Sequence, residues 1–277
     1  MQHAIEKLRH LQKNHFPLFA ISISYIFVLL FGEFLHLILG TETLEYHKTS
    51  FYFLNSKNTI NQIFAYNGNL VWFLLFCLVF YLHLHFETVN SKELLPTSAD
   101  VPVGLHSRVC QYTQRANYYL FKQYFFKYCV KSASLFVIFF AIDTLFVLSG
   151  GSCDDGSGTT FSETCRSNKG KWEGGFDISG HFCFLITISL ILWCELYKLH
   201  KRMESESFEV ELNVVFTVMI GLIVGVIMVW FGLLWITAIY YHTFFEKVLG
   251  CMLGFVTPLL MYYTIPSNEF LNGLLYK

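Results

Sequence analysis

Residues 174–198 read GGFDISGHFCFLITISLILWCELYK, and they determine how the rest of the chain is interpreted. Their first part is polar and contains glycine. It is followed by an apolar run long enough to cross a bilayer, which takes roughly 20 helical residues. A carboxylate, a hydroxyl and an imidazole (Asp177, Ser179 and His181) thus stand where a polar loop enters a membrane-spanning helix. The stretch predicts a membrane protein with a polar site at one face of the bilayer.

The whole composition agrees with a membrane protein. The 277 residues are 54% hydrophobic and 14% charged, whereas a soluble domain carries about 25% charged residues. The formal net charge of −1 gives no reason to expect a nucleic acid partner. Apolar residues form six blocks, at about 16–39, 69–86, 132–150, 178–198, 213–239 and 247–265. Because backbone polar groups in lipid must be satisfied within the segment, we predict a single all-α domain, residues 1–277, with six transmembrane helices.

The basic residues indicate the orientation of these helices. Lys7, Arg9 and Lys13 precede the first block, which is too long for the core of a cleaved signal and is interpreted as an anchor. With a cytosolic N-terminus, 13 of the 19 Lys and Arg residues fall on the cytosolic side and six on the opposite side. The positive-inside rule therefore favours cytosolic N- and C-termini.

The long loop between the second and third blocks ends in a basic and aromatic segment, residues 112–131. This composition is typical of a helix that lies on the membrane surface and is attracted to anionic lipids. The segment predicts a cytosolic interfacial helix. The alternative is that these residues simply lead into the third span.

The loop 151–177, on the non-cytosolic side, contains Cys153 and Cys165. If that side is the lumen of the endoplasmic reticulum, the compartment allows a disulfide between them, which we favour. Free thiols or a metal site are the alternatives, although the loop contains no histidine. The remaining six cysteines lie in spans or on the cytosolic side and are interpreted as small apolar residues.

The predicted topology places two histidines in the same leaflet. His181 opens the fourth span, and His242, within Tyr240-Tyr241-His242-Thr243, follows the fifth. Each has a carboxylate four residues away, Asp177 and Glu246, and residues four apart face one another if the segment is helical. A carboxylate beside an imidazole fixes its tautomer and stabilises its charged form. Asp177 has a second explanation as the N-cap of the fourth helix.

Residues next to His181 suit a phosphate. Gly180 permits close backbone approach, N–H groups at a helix start bind phosphate, and the Ser179 hydroxyl adds a donor. The simpler interpretation of the histidine is a polar residue in an interfacial turn.

Other ionisable residues occupy the spans. Glu33 and His36 lie near the non-cytosolic end of the first span, where a functional role and a purely interfacial one are equally supported. Asp143 lies deeper, and we expect it to face a cavity. Five residues at the cytosolic ends are interpreted as ordinary interface residues: His83, His85, Glu87, Glu195 and His200. Two GxxxG motifs, Gly221–Gly225 and Gly250–Gly254, weakly predict close helix contacts.

The two histidine motifs resemble a known family. Phe-Asp-Ile-Ser-Gly-His at 176–181 and Tyr-Tyr-His-Thr at 240–243 are similar to the signatures of the fat storage-inducing transmembrane proteins. Cys165, Trp172 and six spans with cytosolic termini also match. The resemblance extends over most of the chain, but its specific part is these two motifs.

The resemblance implies an enzyme of the endoplasmic reticulum membrane, similar to lipid phosphate phosphatases. Such an enzyme would cleave the diphosphate of fatty acyl-CoA to acyl 4′-phosphopantetheine and adenosine 3′,5′-bisphosphate, without a cofactor or metal. The family is linked to lipid droplet formation and to membrane lipid balance. By analogy with the phosphatases, His242 would attack phosphorus, oriented by Glu246, and His181 would protonate the leaving group.

The chain departs from the phosphatases in two places. Ile178 replaces the proline before Ser-Gly-His, and Trp235 and Ile236 stand where an arginine neutralises phosphate. The remaining luminal cations are interpreted as solvated loop charges that could substitute for it: Arg166, Lys169, Lys171 and Lys247. The main alternative function is a non-catalytic protein that binds diacylglycerol or triacylglycerol and promotes droplet budding. A transporter is a weaker alternative, because repeats and broken midplane helices are missing.

Overall fold

The computed structural model describes residues 2–55, 57–93, 103–156, 158–205 and 214–276. Within them, six helical segments are long and apolar enough to cross a membrane. These segments are Phe19–Ser50, Tyr52–Thr88, Gln114–Leu148, Gly180–Glu204, Val214–Tyr240 and Phe244–Ser267. The prediction of an all-α membrane protein with six spans is confirmed.

The elements follow one another along the chain with short connections. They are α1 (Gln2–Ser50), a 3₁₀ turn (Tyr52–Leu54), α2 (Thr59–Asn61), a π-helical turn (Gln62–Tyr66), α3 (Gly68–Glu93), α4 (Val103–Leu148), β1 (Ser152–Cys153), α5 (Ser162–Ser167), β2 (Trp172–Glu173), α6 (Gly180–Ser205), α7 (Val214–Tyr240), α8 (Phe244–Leu259), a second π-helical turn (Leu260–Thr264), α9 (Ile265–Ser267) and α10 (Glu269–Leu275). The two short strands pair antiparallel, with Cys153 opposite Trp172. Gly40, at φ +71°, interrupts α1.

Helix α6 lies at the centre of the bundle. In its most apolar 18-residue window 78% of the residues are buried, against 17% for α7. Phe182 and Ile186 of α6 are inaccessible, and they belong to the same core as Trp72 of α3 and Trp230 of α7. Helices in lipid associate mainly by close packing, so the helix with the largest packed surface sets the position of the others.

Helix α8 packs closely against α6 through the second GxxxG motif. A Cβ atom added to Gly250 would lie 2.5 Å from the carbonyl oxygen of Ser179, and one added to Gly254 would lie 2.9 Å from Ile186 Cβ. The Thr187 hydroxyl also donates to the Gly254 carbonyl oxygen at 2.9 Å. The first motif, Gly221–Gly225, lies in the most apolar helix but meets no described neighbour within 4 Å. Only the second motif therefore makes a close helix contact among the described residues.

A separate interfacial helix at residues 112–131 is not confirmed. These residues lie within α4, which runs from Val103 to Leu148 without interruption and includes the third span. Lys127 and Lys131 are at most 1% exposed, because their ammonium groups turn into the bundle towards polar side chains of other helices. The alternative, a helical lead-in to the third span, describes this segment.

Glu195 also differs from its interpretation as an ordinary interface residue. Its side chain is 1% exposed and accepts hydrogen bonds from Lys127 Nζ at 2.6 Å, Tyr262 OH at 2.6 Å and Tyr124 OH at 2.8 Å. His83 Nε2 lies 3.2 Å from the Glu195 carbonyl oxygen. We refer to these five residues as the Glu195 cluster. It lies in the second half of α6, well below His181, and joins α3, α4, α6 and the second π-helical turn.

Candidate active site

His242 lies in the tight connection between α7 and α8. Its backbone has φ +59°, in the left-handed region that closes many helix C-termini and that histidine tolerates better than most residues. Thr243 then starts α8, with the Glu246 carboxylate accepting a hydrogen bond from the Thr243 N–H at 2.7 Å. This capping box satisfies donors that the first turn of a helix leaves open. The sharp turn therefore holds the imidazole immediately beside the start of α8.

The surroundings of His242 define its tautomer. Nδ1 lies 3.1 Å from the carbonyl oxygen of Asp177, 3.5 Å from Asp177 Oδ2 and 3.9 Å from Glu246 Oε2. A carbonyl oxygen can only accept hydrogen bonds, so Nδ1 carries a proton. In the neutral ring the lone pair is then on Nε2. His242 is thus held as a base or nucleophile through Nε2.

Glu246 connects the two histidine motifs. Its Oε1 accepts from the Asp177 N–H at 2.9 Å, and its carbonyl oxygen accepts from the Ser179 N–H at 3.2 Å. The residue is 8% exposed. Sequence reasoning expected Glu246 to face His242 on one helix, but His242 precedes α8. The principal bonds of the carboxylate go to two backbone N–H groups, and these tie the loop before α6 to α8.

The carboxylate of Asp177 lies beside His242 and not beside His181. Because α6 begins at Gly180, residues 177–181 do not form the helical turn that would bring Asp177 against His181. The helix cap is Ser179, whose hydroxyl accepts a long hydrogen bond from the Phe182 N–H at 3.5 Å. Burial raises the pKa of the Asp177 carboxyl, and the neighbouring His242 opposes that rise. Neither explanation given for Asp177 matches the geometry: the carboxylate lies beside His242 instead of His181, and Ser179 takes the cap position.

The partner of His181 is an asparagine that sequence reasoning missed. His181 Nε2 lies 3.1 Å from Asn61 Oδ1, and the ring lies 6.0 Å from that of Tyr66. With the amide oxygen as acceptor, Nε2 carries a proton. Asn61 and Tyr66 belong to the connection between α1 and α3. Five asparagines between Asn55 and Asn69 are the signal that could have drawn attention to this segment.

His181 lines a cavity of about 800 Å³. One part of its wall is polar and charged, with Tyr66, Asp143 and Arg166 near the histidine. The other part is apolar and is formed by Leu135, Phe136, Phe139, Phe140, Phe161 and Phe184. Asp143 faces this cavity, as its depth in the third span predicts, and Gly180 also belongs to the wall. His242 is not part of the wall. The cavity is amphiphilic.

The four candidate cations have different positions. Lys247 is inaccessible, forms an ion pair with Glu33 and donates to the Ala238 carbonyl oxygen at 2.8 Å. Lys171 is 75% exposed and pairs with Glu173 at 3.8 Å, and Lys169 is exposed in a turn. Arg166 lies over the Tyr66 ring at 4.3 Å and lines the cavity. Arg166 is thus the one of the four beside His181.

Glu33 and His36 also have structural partners. Glu33 neutralises the buried Lys247, and His36 Nδ1 lies 2.6 Å from the Ile239 carbonyl oxygen. Both contacts join α1 to the segment that contains the α7–α8 turn. By fixing the end of α7 and the start of α8 against α1, these contacts help to hold the turn that contains His242.

The loop that contains Arg166 is held at three points. Cys153 and Cys165 are joined by a disulfide with a Cα–Cα distance of 5.8 Å. Phe146 stacks on Trp172 with ring centroids 4.4 Å apart, and the Ser162 N–H donates to Asp143 Oδ2 at 3.1 Å. A cluster of three or more His, Cys, Asp or Glu residues able to hold a metal is absent from the described residues.

Comparison with known proteins identifies the relatives of this chain. It is 37% identical over 264 residues to an acyl-coenzyme A diphosphatase of Saccharomyces cerevisiae, covering 92% of this chain and 95% of that protein. It is 30% identical over 219 residues to an acyl-coenzyme A diphosphatase of Schizosaccharomyces pombe, covering 76% and 72%. An acyl-coenzyme A diphosphatase of Xenopus tropicalis is 32% identical over 100 residues, covering 35% and 36%. No solved structure matches the chain.

The family model of the fat storage-inducing transmembrane proteins matches residues 49–262. This range contains both histidine motifs, four complete spans and most of the sixth. The chain therefore belongs to the fat storage-inducing transmembrane protein family.

Proposed function

We propose that this protein hydrolyses the diphosphate of fatty acyl-CoA in the endoplasmic reticulum membrane. The products are acyl 4′-phosphopantetheine and adenosine 3′,5′-bisphosphate. The relatives that match most of the chain are named acyl-coenzyme A diphosphatases. The observation that supports the chemistry best is the hydrogen bond from His242 Nδ1 to the Asp177 carbonyl, since it leaves the lone pair on Nε2.

The two histidines take complementary roles in this proposal. His242 Nε2 attacks one phosphorus atom, so that a P–N bond forms while the P–O bond to the bridging oxygen breaks. His181 acts in its imidazolium form: Nε2 keeps its proton on Asn61 Oδ1, and Nδ1 gives its proton to the leaving oxygen, which leaves a neutral ring. Water then attacks the phosphohistidine, the P–N bond breaks and the second product leaves. Asp177 and Glu246 act on His242: the first stabilises its positive charge, and the second holds the turn.

The cavity suits the two parts of such a substrate. Its phenylalanine wall can hold an acyl chain, and its charged groups, which include Arg166 and His181, can contact the diphosphate. The nucleotide would remain on the luminal side, outside the bilayer. By removing acyl-CoA from this membrane, the enzyme would influence lipid droplet formation. The apolar wall would equally hold the acyl chains of diacylglycerol or triacylglycerol, which is the observation that favours a non-catalytic lipid-binding protein.

Activity of the purified protein separates the two functions. Wild type, His242→Ala and His181→Ala are incubated with acyl-CoA, and adenosine 3′,5′-bisphosphate is measured by chromatography. We expect His242→Ala to abolish product formation. We expect His181→Ala to reduce it about 10²–10⁴-fold, the usual contribution of a general acid.

The matched control is His200→Ala, because His200 is an exposed histidine at the opposite end of α6. The proposal predicts that His200→Ala has the activity of wild type. Absence of product from wild type would favour lipid binding alone. Equal product from wild type and His242→Ala would refute the assigned nucleophile.

A further inference from the structure

Three lysines are buried in the bundle, and one of them differs from the other two. Lys127, Lys131 and Lys247 are at most 1% exposed. Lys127 is neutralised by Glu195, and Lys247 by Glu33. In the part of the chain that the structure describes, Lys131 has no carboxylate within ion-pair distance. Its Nζ donates to Asn69 Oδ1.

An uncompensated cation inside a membrane span is costly, and such residues usually serve a function. The ammonium of Lys131 has three donors, and the amide of Asn69 accepts from one of them. The other neighbours of Nζ are aromatic faces, with the Trp72 ring centroid at 4.2 Å and that of Phe184 at 6.0 Å. These contacts leave the positive charge without a formal counter-charge.

Lys131 lines the same cavity as His181. Phe184, which lies beside the ammonium, follows His181 by three residues on α6, and residues three apart share a helix face. The cation therefore lies about one helical turn deeper in the membrane than the imidazole. Arg166, Asp143 and Glu163 also contribute to the wall. Lys131 thus adds a second cation to the cavity, one that comes from within a membrane span.

We propose that Lys131 determines specificity by binding a phosphate group of the substrate inside the cavity. This inference rests on the proposed function for the identity of the substrate. It assigns the charge-neutralising role of the missing arginine to a residue of the third span. The bound anion completes the ion pair that Lys131 lacks, and Asn69 holds the ammonium in place while the site is empty.

Binding tests this role without relying on catalysis. Thermal shift and fluorescence quenching of the full-length protein in detergent are measured with two probes, palmitoyl-CoA and palmitoyl-pantetheine, which lacks phosphate. Lys131→Met should weaken binding of palmitoyl-CoA about 10- to 100-fold, the usual loss for a hydrogen bond to a charged group. Lys131→Arg should retain most of it. Palmitoyl-pantetheine should bind both variants and wild type equally, which also shows that the variants are folded.

Stability of the ligand-free protein distinguishes binding from structural support. If the ammonium of Lys131 has no counter-charge until an anion binds, Lys131→Met removes an uncompensated buried charge and raises the melting temperature. If the ammonium mainly supports Trp72, the same variant lowers it and overturns the proposal. Unchanged affinity of Lys131→Met for palmitoyl-CoA would also overturn it. In turnover, the variant should raise KM more than it lowers kcat.

The failure of the proposed function gives a different pattern. Wild type and His242→Ala would then bind palmitoyl-CoA equally and neither would release nucleotide. The loss of affinity in Lys131→Met would remain. Loss of activity in His242→Ala with full affinity in Lys131→Met would instead refute the role of Lys131 alone.

Discussion

Helix α6 contributes to two polar clusters, one in its second half around Glu195 and one where it begins, and they are organised in opposite ways. In the Glu195 cluster, both carboxylate oxygens have strong donors, and the neutralising lysine is fully enclosed. In the other cluster, His181 and His242 each use one ring nitrogen for an amide or carbonyl oxygen. His181 also borders a cavity. One cluster is closed on itself, and the other keeps groups available.

This difference separates structural from chemical use of buried polar residues. A buried ion pair that is fully hydrogen-bonded stabilises one arrangement of helices but gives a ligand no free partner. An imidazole with a defined tautomer and a free nitrogen can accept or deliver a proton. Helix α6 belongs to both clusters, so the Glu195 cluster anchors the helix whose start presents His181.

Breaking the Glu195 cluster should have the largest effect on stability. Glu195→Ala leaves the ammonium of Lys127 buried without its counter-charge. We expect a loss of about 3–5 kcal/mol in the free energy of unfolding. Equilibrium unfolding of both proteins in detergent measures this loss of free energy. The remaining folded protein should keep its specific activity, because the Glu195 cluster does not touch the cavity.

Two further variants complete this comparison. Replacing both charges, Lys127→Met with Glu195→Leu, should restore much of the lost stability. Glu204→Ala breaks an exposed ion pair with Lys201 on the same helix and should leave the melting temperature unchanged. A Glu195→Ala protein with normal stability and no activity would show that the Glu195 cluster belongs to the chemistry.

The next-largest loss of stability is expected from substitutions in the GxxxG motifs. Gly250→Ala places a methyl group 2.5 Å from the Ser179 carbonyl oxygen, and relief requires α8 to move away from α6. We expect a loss of about 1–3 kcal/mol in stability together with reduced activity, since α8 carries Glu246. Gly221→Ala is the control, because its methyl group meets no described neighbour within 4 Å. Equal effects of the two substitutions would contradict the packing described for α8.

Different parts of the molecule were accessible to sequence reasoning for different physical reasons. The six spans follow from the length and hydropathy of local segments, and the topology then brings Asp177 and His242 to one end. The pairing of Asp177 with His242 depends on where α6 starts, because one turn of helix would have directed the carboxylate to His181. The positions of Lys127 and Lys131 depend on the rotation of α4 about its axis. A basic and aromatic composition alone does not specify that rotation.

The smallest effect concerns the charge of Asp177. Its carboxylate lies 3.5 Å from His242 Nδ1 but is 46% exposed, so solvent weakens the interaction. Asp177→Asn should reduce activity only about 3- to 10-fold at neutral pH. Since burial raises the pKa of Asp177, wild-type activity should fall on acidification through a pKa above the ordinary value of about 3.9. Protonation of the His242 imidazole also stops the attack and gives an acid limb that both proteins share, so Asp177→Asn should lack only the part of the limb that belongs to the Asp177 carboxyl.

On acidification, the contribution of Asp177 to the stability of the fold should rise, whereas activity should fall. A carboxyl whose pKa is raised by folding stabilises the fold below its unfolded pKa, and this contribution is lost as the pH rises through the folded pKa. At pH 7 the ionised Asp177 therefore lowers the free energy of unfolding. Asp177→Asn should be at least as stable as wild type at pH 7, and its advantage should disappear at lower pH. Melting temperatures of both proteins between pH 4 and pH 8 measure this difference, and a variant that is less stable at pH 7 would show that Asp177 mainly supports the α7–α8 turn.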